Sequence, residues 1–166
     1  ERALMARRES PTRRDGRQQA LELLARREHS AQELSGKLTR SGQGKAQAQV
    51  VVDDLREKGM QSDERFAQAL ARRRATQGYG PLRIRAELKT HGIDASGIGA
   101  ALAALEVDWA EQAAAQLRRH AGSRPARDAA GRARNAAFLL RRGFDAATVR
   151  AVTRAGSSSD DDFELD

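Results

Sequence analysis

One stretch of the sequence places glycine and lysine side by side, as a phosphate-binding loop does. Gly44 and Lys45 stand where such a loop would hold the phosphates of a nucleotide. The pattern also requires an earlier glycine, and a serine or threonine after the lysine whose hydroxyl ligates Mg²⁺. Thr39 and Ala46 occupy those two positions. The sequence therefore does not predict a nucleotide site here.

The histidines and the carboxylates do not indicate a catalytic or metal site. Three histidines lie in or beside the last turn of an apolar periodic segment, where a helix C-terminus accounts for them: His29, His91 and His120. No two of them share a helical face, and the chain has no cysteine, so the sequence offers no local metal pair and no thiolate. Three carboxylates lie on the polar face of one helix and are explained by solvation: Asp53, Asp54 and Glu57. We predict no metal, no cofactor and no enzymatic activity.

Arginine and lysine are the residues with which this chain could bind a partner. Twelve of them are candidate partner-binding and DNA-binding residues: Arg72, Arg73, Arg74, Arg83, Arg85, Lys89, Arg119, Arg127, Arg132, Arg134, Arg141 and Arg142. Residues 118–142 contain eight arginines and only one acidic residue, Asp128. The repulsion among these arginines is therefore relieved only if a partner binds them. For the arginines at helix ends, complementing the helix dipole is an equally good explanation.

The composition agrees with a negatively charged partner. The 166 residues include 30 Lys plus Arg and 23 Asp plus Glu, which gives a net charge of +7. Residues 108–156 carry ten basic and four acidic residues, whereas residues 157–166 carry five acidic residues and no basic ones. The sequence shows no apolar run of membrane-spanning length, no signal-like N-terminus and no cysteine. We expect a cytoplasmic monomer that contacts no membrane.

The apolar pattern is helical throughout, with no alternation typical of a half-buried strand. Ser30 and Asp108 are each followed three residues on by a glutamate, which predicts an N-cap at both. The pattern predicts nine helices, at about 16–28, 30–41, 45–58, 63–77, 81–91, 95–106, 108–121, 126–142 and 145–155. The expected core comprises Leu21, Leu24, Leu34, Leu38, Val51, Leu55, Phe66, Leu70, Leu88, Ile98, Leu102, Leu117, Leu139, Val149 and Val152.

These helices recur with a regular spacing. Gly42, Gly92 and Gly143 are 50 and 51 residues apart, and a leucine lies four residues before each. The spacing predicts an all-α fold of three tandem three-helix repeats, resembling helix-turn-helix units, in an elongated, curved array. We assign residues 16–62, 63–107 and 108–155 to the repeats, residues 1–15 to a flexible basic segment and residues 156–166 to a disordered acidic tail.

Base-specific reading of DNA is poorly supported. The third helices of the second and third repeats begin with side chains that are mostly too small to reach base edges: Ala95, Ser96 and Gly97, and Ala146, Ala147 and Thr148. Four aromatic residues are expected in the core, namely Phe66, Trp109, Phe138 and Phe144, which leaves Tyr79 free. We therefore expect any contact with single- or double-stranded DNA to be made to phosphates.

Two runs of the sequence resemble the central region of the RecX family, the bacterial regulators of the RecA recombinase. The first run, residues 55–67, contains Gly59 and ends in Arg65-Phe66-Ala67. The second, residues 80–93, begins with Gly80, contains Glu87-Leu88 and ends in Gly92-Ile93. Ser62 departs from the family pattern, because it replaces one member of an acidic pair. The resemblance covers about residues 17–155.

The resemblance implies a non-catalytic regulator. Such a protein lodges in the helical groove of the RecA filament on single-stranded DNA, bridges neighbouring protomers and inhibits the recombinase, ATPase and co-protease activities. ATP and Mg²⁺ would then belong to RecA. The residues themselves leave open a second interpretation, a sequence-nonspecific DNA-binding architectural protein of the helix-turn-helix type.

Overall fold

The predicted all-α fold is confirmed. The computed structural model describes residues 15–122, 126 and 128–155. This part of the chain forms nine α-helices and no strand: α1 Gly16–Arg26, α2 Ala31–Arg40, α3 Lys45–Glu57, α4 Asp63–Thr76, α5 Pro81–Thr90, α6 Ala95–Ala103, α7 Trp109–Ala121, α8 Ala129–Arg142 and α9 Ala146–Ala155. Residues 1–14 of the predicted basic segment 1–15 and the whole acidic tail 156–166 lie outside the described residues; the last residue of that segment, Asp15, is the N-cap of α1.

Side-chain caps set where several helices begin. The Ser30 hydroxyl accepts the backbone N–H of Glu33 at 3.1 Å, and the Asp108 carboxylate accepts that of Glu111, also at 3.1 Å. Helix α8 begins at residue 129 rather than at the predicted 126, because Asp128 is its N-cap and accepts the N–H of Gly131 at 2.9 Å.

The recurring glycines end their helices in the left-handed conformation, as their spacing predicts. Gly42, Gly92 and Gly143 have φ angles of +101°, +78° and +90°. A residue with a Cβ is strained in this region, so glycine suits these three positions best.

The chain divides into two compact units, Glu1–Asp63 and Glu64–Asp166. In the first unit, helices α1, α2 and α3 pack around one apolar cluster: Ala20, Leu34, Leu38, Ala48, Val51, Val52 and Leu55. The second unit contains two clusters, one between α4, α5 and α6 and the other between α7, α8 and α9. Trp109 packs against both clusters of the second unit.

A buried histidine, His29, and an ion-paired carboxylate, Glu33, lie close together in the first unit. His29 is 2 % exposed; its Nδ1 is 3.0 Å from the Arg27 carbonyl and its Nε2 is 3.1 Å from Lys37 Nζ. Since an ammonium group only donates, Nε2 accepts and Nδ1 carries the proton. Burial lowers the pKa of His29. Burial opposes ionisation of Glu33, but its hydrogen bond with Arg27, together with His29 and Lys37, lowers the pKa of Glu33 to about 2.

The predicted core positions all lie in or against these clusters. Leu21, Leu24, Leu102, Leu117 and Val152 are half-buried at the edges, and the other ten predicted positions are buried. The prediction missed Val52, Ile84 and Ile93, which are also buried. Phe66 and Phe144 are buried as expected, but Trp109 and Phe138 are only half-buried. The division into three repeats at residues 62 and 107 stays a prediction.

Candidate partner-binding surface

Six of the candidate cations are exposed and have no partner among the described residues. No hydrogen bond or ion pair to another described residue involves these side chains: Arg72, Arg85, Lys89, Arg119, Arg134 and Arg141. All six lie in the second unit, on helices α4, α5, α7 and α8. Because no carboxylate of the described residues neutralises them, their charge is available to an anionic surface.

Arg74, another of the candidates, is instead held by the fold. Its Nε and Nη2 donate to the two carboxylate oxygens of Glu87 at 2.7 and 2.6 Å, and its Nη1 donates to the side-chain oxygen of Gln77 at 2.7 Å. This two-point ion pair joins α4 to α5, and both side chains are largely buried. The hydrogen bond to Glu87 raises the pKa of Arg74, and the same bond lowers the pKa of Glu87.

Tyr79, expected to be free, is in fact engaged by two arginines. The guanidinium carbon of Arg83 lies 4.4 Å from the centre of the Tyr79 ring, and that of Arg142 lies 5.0 Å from it. Both distances are within the range of cation–π attraction. The sequence interpretation of Tyr79 was therefore wrong, because Arg142 is 63 residues away in the chain and only the tertiary fold brings it to the ring.

A backbone joint holds the start of α5 against the end of α8. The N–H of Gly80 donates to the Arg142 carbonyl at 2.8 Å, and the N–H of Leu82 donates to the Gly143 carbonyl at 3.0 Å. The Arg142 guanidinium adds a hydrogen bond to the Gln77 carbonyl at 3.2 Å. This joint places Arg83 and Arg142, which are distant in sequence, beside each other.

Two clefts open next to these cations. One, of about 340 Å³, is lined by Gln77, Gln116, Arg119, His120, Phe138 and Arg142. Its wall contains a parallel stack, in which the His120 and Phe138 rings lie 3.8 Å apart at an angle of 3°. The other, of about 230 Å³, is lined by Arg72, Ala75, Thr76, Ala104, Leu105, Val107 and Gln112. We call the first the arginine–aromatic cleft.

The structure thus brings Arg83, Arg119 and Arg142 around Tyr79 and the arginine–aromatic cleft, whereas Arg72 lines the other cleft. The remaining candidates that the structure describes, Arg73 and Arg132, are exposed on α4 and α8. Arg127 lies outside the described residues.

Sequence reasoning missed the uncharged members of the arginine–aromatic cleft. Gln116 and Phe138 are on different helices, and no local spacing rule connects them. The available signal was His120, which immediately follows Arg119 in the last turn of α7, but its position alone fits a helix-end histidine equally well.

Two further observations bear on the kind of site. Among the described residues, no group of three His, Asp or Glu side chains is placed to hold a metal ion. In the same part of the chain, no helix is both long and apolar enough to cross a membrane.

Comparison with known proteins identifies relatives along most of the chain. A family model described as the first three-helix domain of RecX matches residues 17–55, and one described as the second three-helix domain of RecX matches residues 62–102. The protein named "Regulatory protein RecX" of Xanthomonas axonopodis pv. citri (strain 306) is 51% identical over 137 residues, which are 82% of this chain and 85% of that protein. The protein of the same name from Stenotrophomonas maltophilia (strain R551-3) is 49% identical over 137 residues, 82% of this chain and 84% of that protein.

Solved structures share the fold. The crystal structure of RecX from Lactobacillus salivarius superimposes with a TM-score of 0.71 at 20% identity, covering 86% of this chain and 94% of that chain. A second crystal structure of regulatory protein RecX gives a TM-score of 0.68 at 21% identity, covering 86% of this chain and 73% of that chain. With about half of its residues identical to regulatory proteins over most of its length, and with both RecX domain models matched in order, the chain belongs to the RecX family.

Proposed function

We propose that this chain is a non-catalytic regulator that binds the RecA filament on single-stranded DNA and inhibits the recombinase, ATPase and co-protease activities of RecA. It acts in the cytoplasm as a monomer, and the helical groove of the filament is its docking site. ATP and Mg²⁺ are bound by RecA, and this chain needs no cofactor of its own.

The observation that carries this proposal is the set of six exposed cations that have no partner among residues 15–122, 126 and 128–155. A cation that complements the dipole of its own helix stabilises that helix by only about 0.3–1 kcal/mol. This small effect does not explain why these six cations occur on one unit. Repulsion among positive charges on one compact unit destabilises the folded chain, and binding to an acidic protein surface or a row of phosphates relieves it. Both kinds of surface are available on a protein filament that carries DNA.

In a helix-turn-helix protein, the first turns of the recognition helix face the bases. In this chain, the corresponding turns of α6 and α9 favour contacts with protein and phosphate over recognition of bases. In α6, Gly99 has no side chain and faces open space. The backbone N–H of Gly97 donates to the carboxylate of the N-cap Asp94 at 2.7 Å. At the start of α9, the Thr148 hydroxyl donates to Asp145 at 2.6 Å. These positions offer little that could distinguish one base from another.

The aromatic side chains support the same conclusion. Tyr79 is covered by guanidinium groups, and Phe138 is stacked on His120. Single-strand binding proteins instead present free aromatic faces to successive bases. Direct DNA contact by this chain is therefore assigned to phosphates.

A titration of RecA ATPase with the wild-type chain and two charge-reversed variants tests the proposal. The first variant combines Arg85→Glu with Lys89→Glu, which are exposed and unpaired on α5. The matched control combines Arg40→Glu with Lys45→Glu, which are exposed in the first unit and change the net charge equally. Since reversal adds repulsion at an acidic contact, we expect the first variant to need at least about tenfold more protein for half-inhibition. The control should stay within about twofold of the wild type.

Two results would contradict the proposal. Equal loss of inhibition in both variants would mean that overall charge, and not this surface, is responsible. A wild-type chain that leaves the ATPase unchanged while binding duplex DNA steeply and with strong salt dependence would favour the architectural DNA-binding protein. Circular dichroism of each variant verifies that it is folded.

A further inference from the structure

The arginine–aromatic cleft has the character of a peptide site that is positively charged and partly apolar. Two of its six lining residues are arginines and none is acidic. Arg119 is exposed and has no partner among the described residues. In the same part of the chain, the Arg142 guanidinium contacts a backbone carbonyl and two aromatic rings but no carboxylate. The stacked rings of His120 and Phe138 add an apolar wall. A peptide that alternates carboxylates with apolar side chains uses both features.

This chain contains such a peptide. Residues 160–166 are Asp160, Asp161, Asp162, Phe163, Glu164, Leu165 and Asp166, so five carboxylates surround two apolar side chains. The charges are complementary, because this segment carries −5 whereas the whole chain carries +7. We propose that residues 160–166 bind in the arginine–aromatic cleft, with carboxylates on Arg119 and Arg142 and with Phe163 or Leu165 against the edges of the stacked His120 and Phe138 rings.

The length of the chain permits this contact. Helix α9 has ten residues and is about 15 Å long. It starts four residues after Arg142 and packs back on α7 and α8, so its end, Ala155, lies within about 30 Å of Arg142. Fully extended, the chain beyond Ala155 carries Phe163 up to about 27 Å and Asp166 up to about 37 Å, and the 30 Å separation is itself an upper limit. A tether of this length gives an effective concentration on the order of millimolar, which makes even a weak contact significant.

Occupation of the cleft would cover Arg119 and Arg142 and make them unavailable to other anions. The acidic segment is thus an internal competitor that lowers the affinity of the second unit for polyanions. This inference concerns contacts within the chain and does not depend on the proposed function.

Disulfide trapping tests the contact directly, because the chain has no cysteine that could interfere. One variant pairs Gln77→Cys, an exposed residue of the cleft, with Asp166→Cys. The control pairs Ala147→Cys, exposed on α9 and closer along the chain to the tail, with Asp166→Cys. In a glutathione buffer at low salt, we expect the cleft pair to form its disulfide with an effective concentration at least about tenfold above the control. Equal trapping of the two pairs, or preferred trapping of the control, would overturn the proposal.

A charge-conserving change separates docking from general electrostatics. Phe163→Ser with Leu165→Ser leaves every carboxylate of its parent in place, five in the natural tail and four in the trapping pairs that carry Asp166→Cys. We expect this variant to abolish the preference for the cleft pair, and to tighten binding of a fluorescent single-stranded oligonucleotide, used as a polyanion probe, by about threefold or more at low salt. If trapping and affinity both equal those of the parent, no apolar contact is made and the proposal fails.

Discussion

Replacement of Gly143 by alanine perturbs the joint on which the candidate surface depends. Gly143 ends α8 with a φ of +90°, and its carbonyl accepts the N–H of Leu82. An added Cβ would lie 2.6 Å from the backbone nitrogen of Arg83, a separation that real Cβ atoms do not adopt. The substitution therefore strains the backbone and also forces α5 away from the end of α8.

The cost follows from three contributions. The left-handed conformation costs an alanine about 1–2 kcal/mol, and overpacking against the Arg83 backbone costs about 1–3 kcal/mol. If the joint opens to relieve the clash, the two hydrogen bonds of Gly80 and Leu82 are lost, at about 1 kcal/mol each. Because opening the joint replaces the overpacking cost, only one of the last two contributions applies, and we expect Gly143→Ala to lower the free energy of unfolding of the second unit by about 2–5 kcal/mol in total.

Gly42→Ala is the matched control. Gly42 has a φ of +101° and nothing within 4 Å of an added Cβ, so it should show the conformational cost alone, about 1–2 kcal/mol. Urea unfolding followed by circular dichroism measures both variants, and the single tryptophan, Trp109, reports on the second unit by fluorescence. Equal losses in the two variants would refute the close approach of α8 to α5.

Three further predictions concern the interactions within each unit. Arg74→Gln should destabilise the protein by about 1.5–3 kcal/mol, and a double-mutant cycle with Glu87→Gln should show that most of this loss is shared between the two residues. Asp108→Ala should lower the stability by about 1 kcal/mol in thermal unfolding, because it removes the cap of α7. His29 and Glu33 both have lowered pKa values in the folded state, so protonation of either group favours the unfolded chain. The free energy of unfolding should therefore fall as the pH drops below 6.5, because of His29, and fall again between pH 4.5 and about 2, because of Glu33. Urea midpoints against pH measure both stages, and Glu33→Gln should reduce the second, leaving the part that comes from the other carboxyls with lowered pKa values, such as Glu87.

Helix positions could be predicted from the sequence because their signals are local. A hydroxyl or carboxylate at Ser30 or Asp108 bonds a backbone N–H only a few residues away, and Gly92 or Gly143 ends a helix through its own backbone freedom. The start of α8 was the exception, since Asp128, in a segment rich in arginine, was not recognised as its cap. Most of the core followed from the same periodicity.

The candidate surface could be predicted only in part, because the partners of a charged side chain are a property of the tertiary fold. The pair Arg74 and Glu87 spans two helices, and no spacing rule distinguishes Arg74 from its exposed neighbour Arg73. The stacking of Arg142 on Tyr79 depends on the backbone joint between α5 and α8. Sequence therefore identified the cations, whereas the structure separated those that stabilise the fold from those that are unpaired.

Two affinities distinguish recognition of the filament from recognition of DNA: the affinity of this chain for a RecA filament on single-stranded DNA, and its affinity for the same DNA without RecA. Fluorescence anisotropy with a labelled oligonucleotide or a labelled chain measures both over a range of salt concentrations. We expect at least about tenfold tighter binding to the filament at physiological salt, with a weaker salt dependence than on bare DNA. Equal affinities with the same salt dependence would contradict it and would show that this chain recognises the DNA alone.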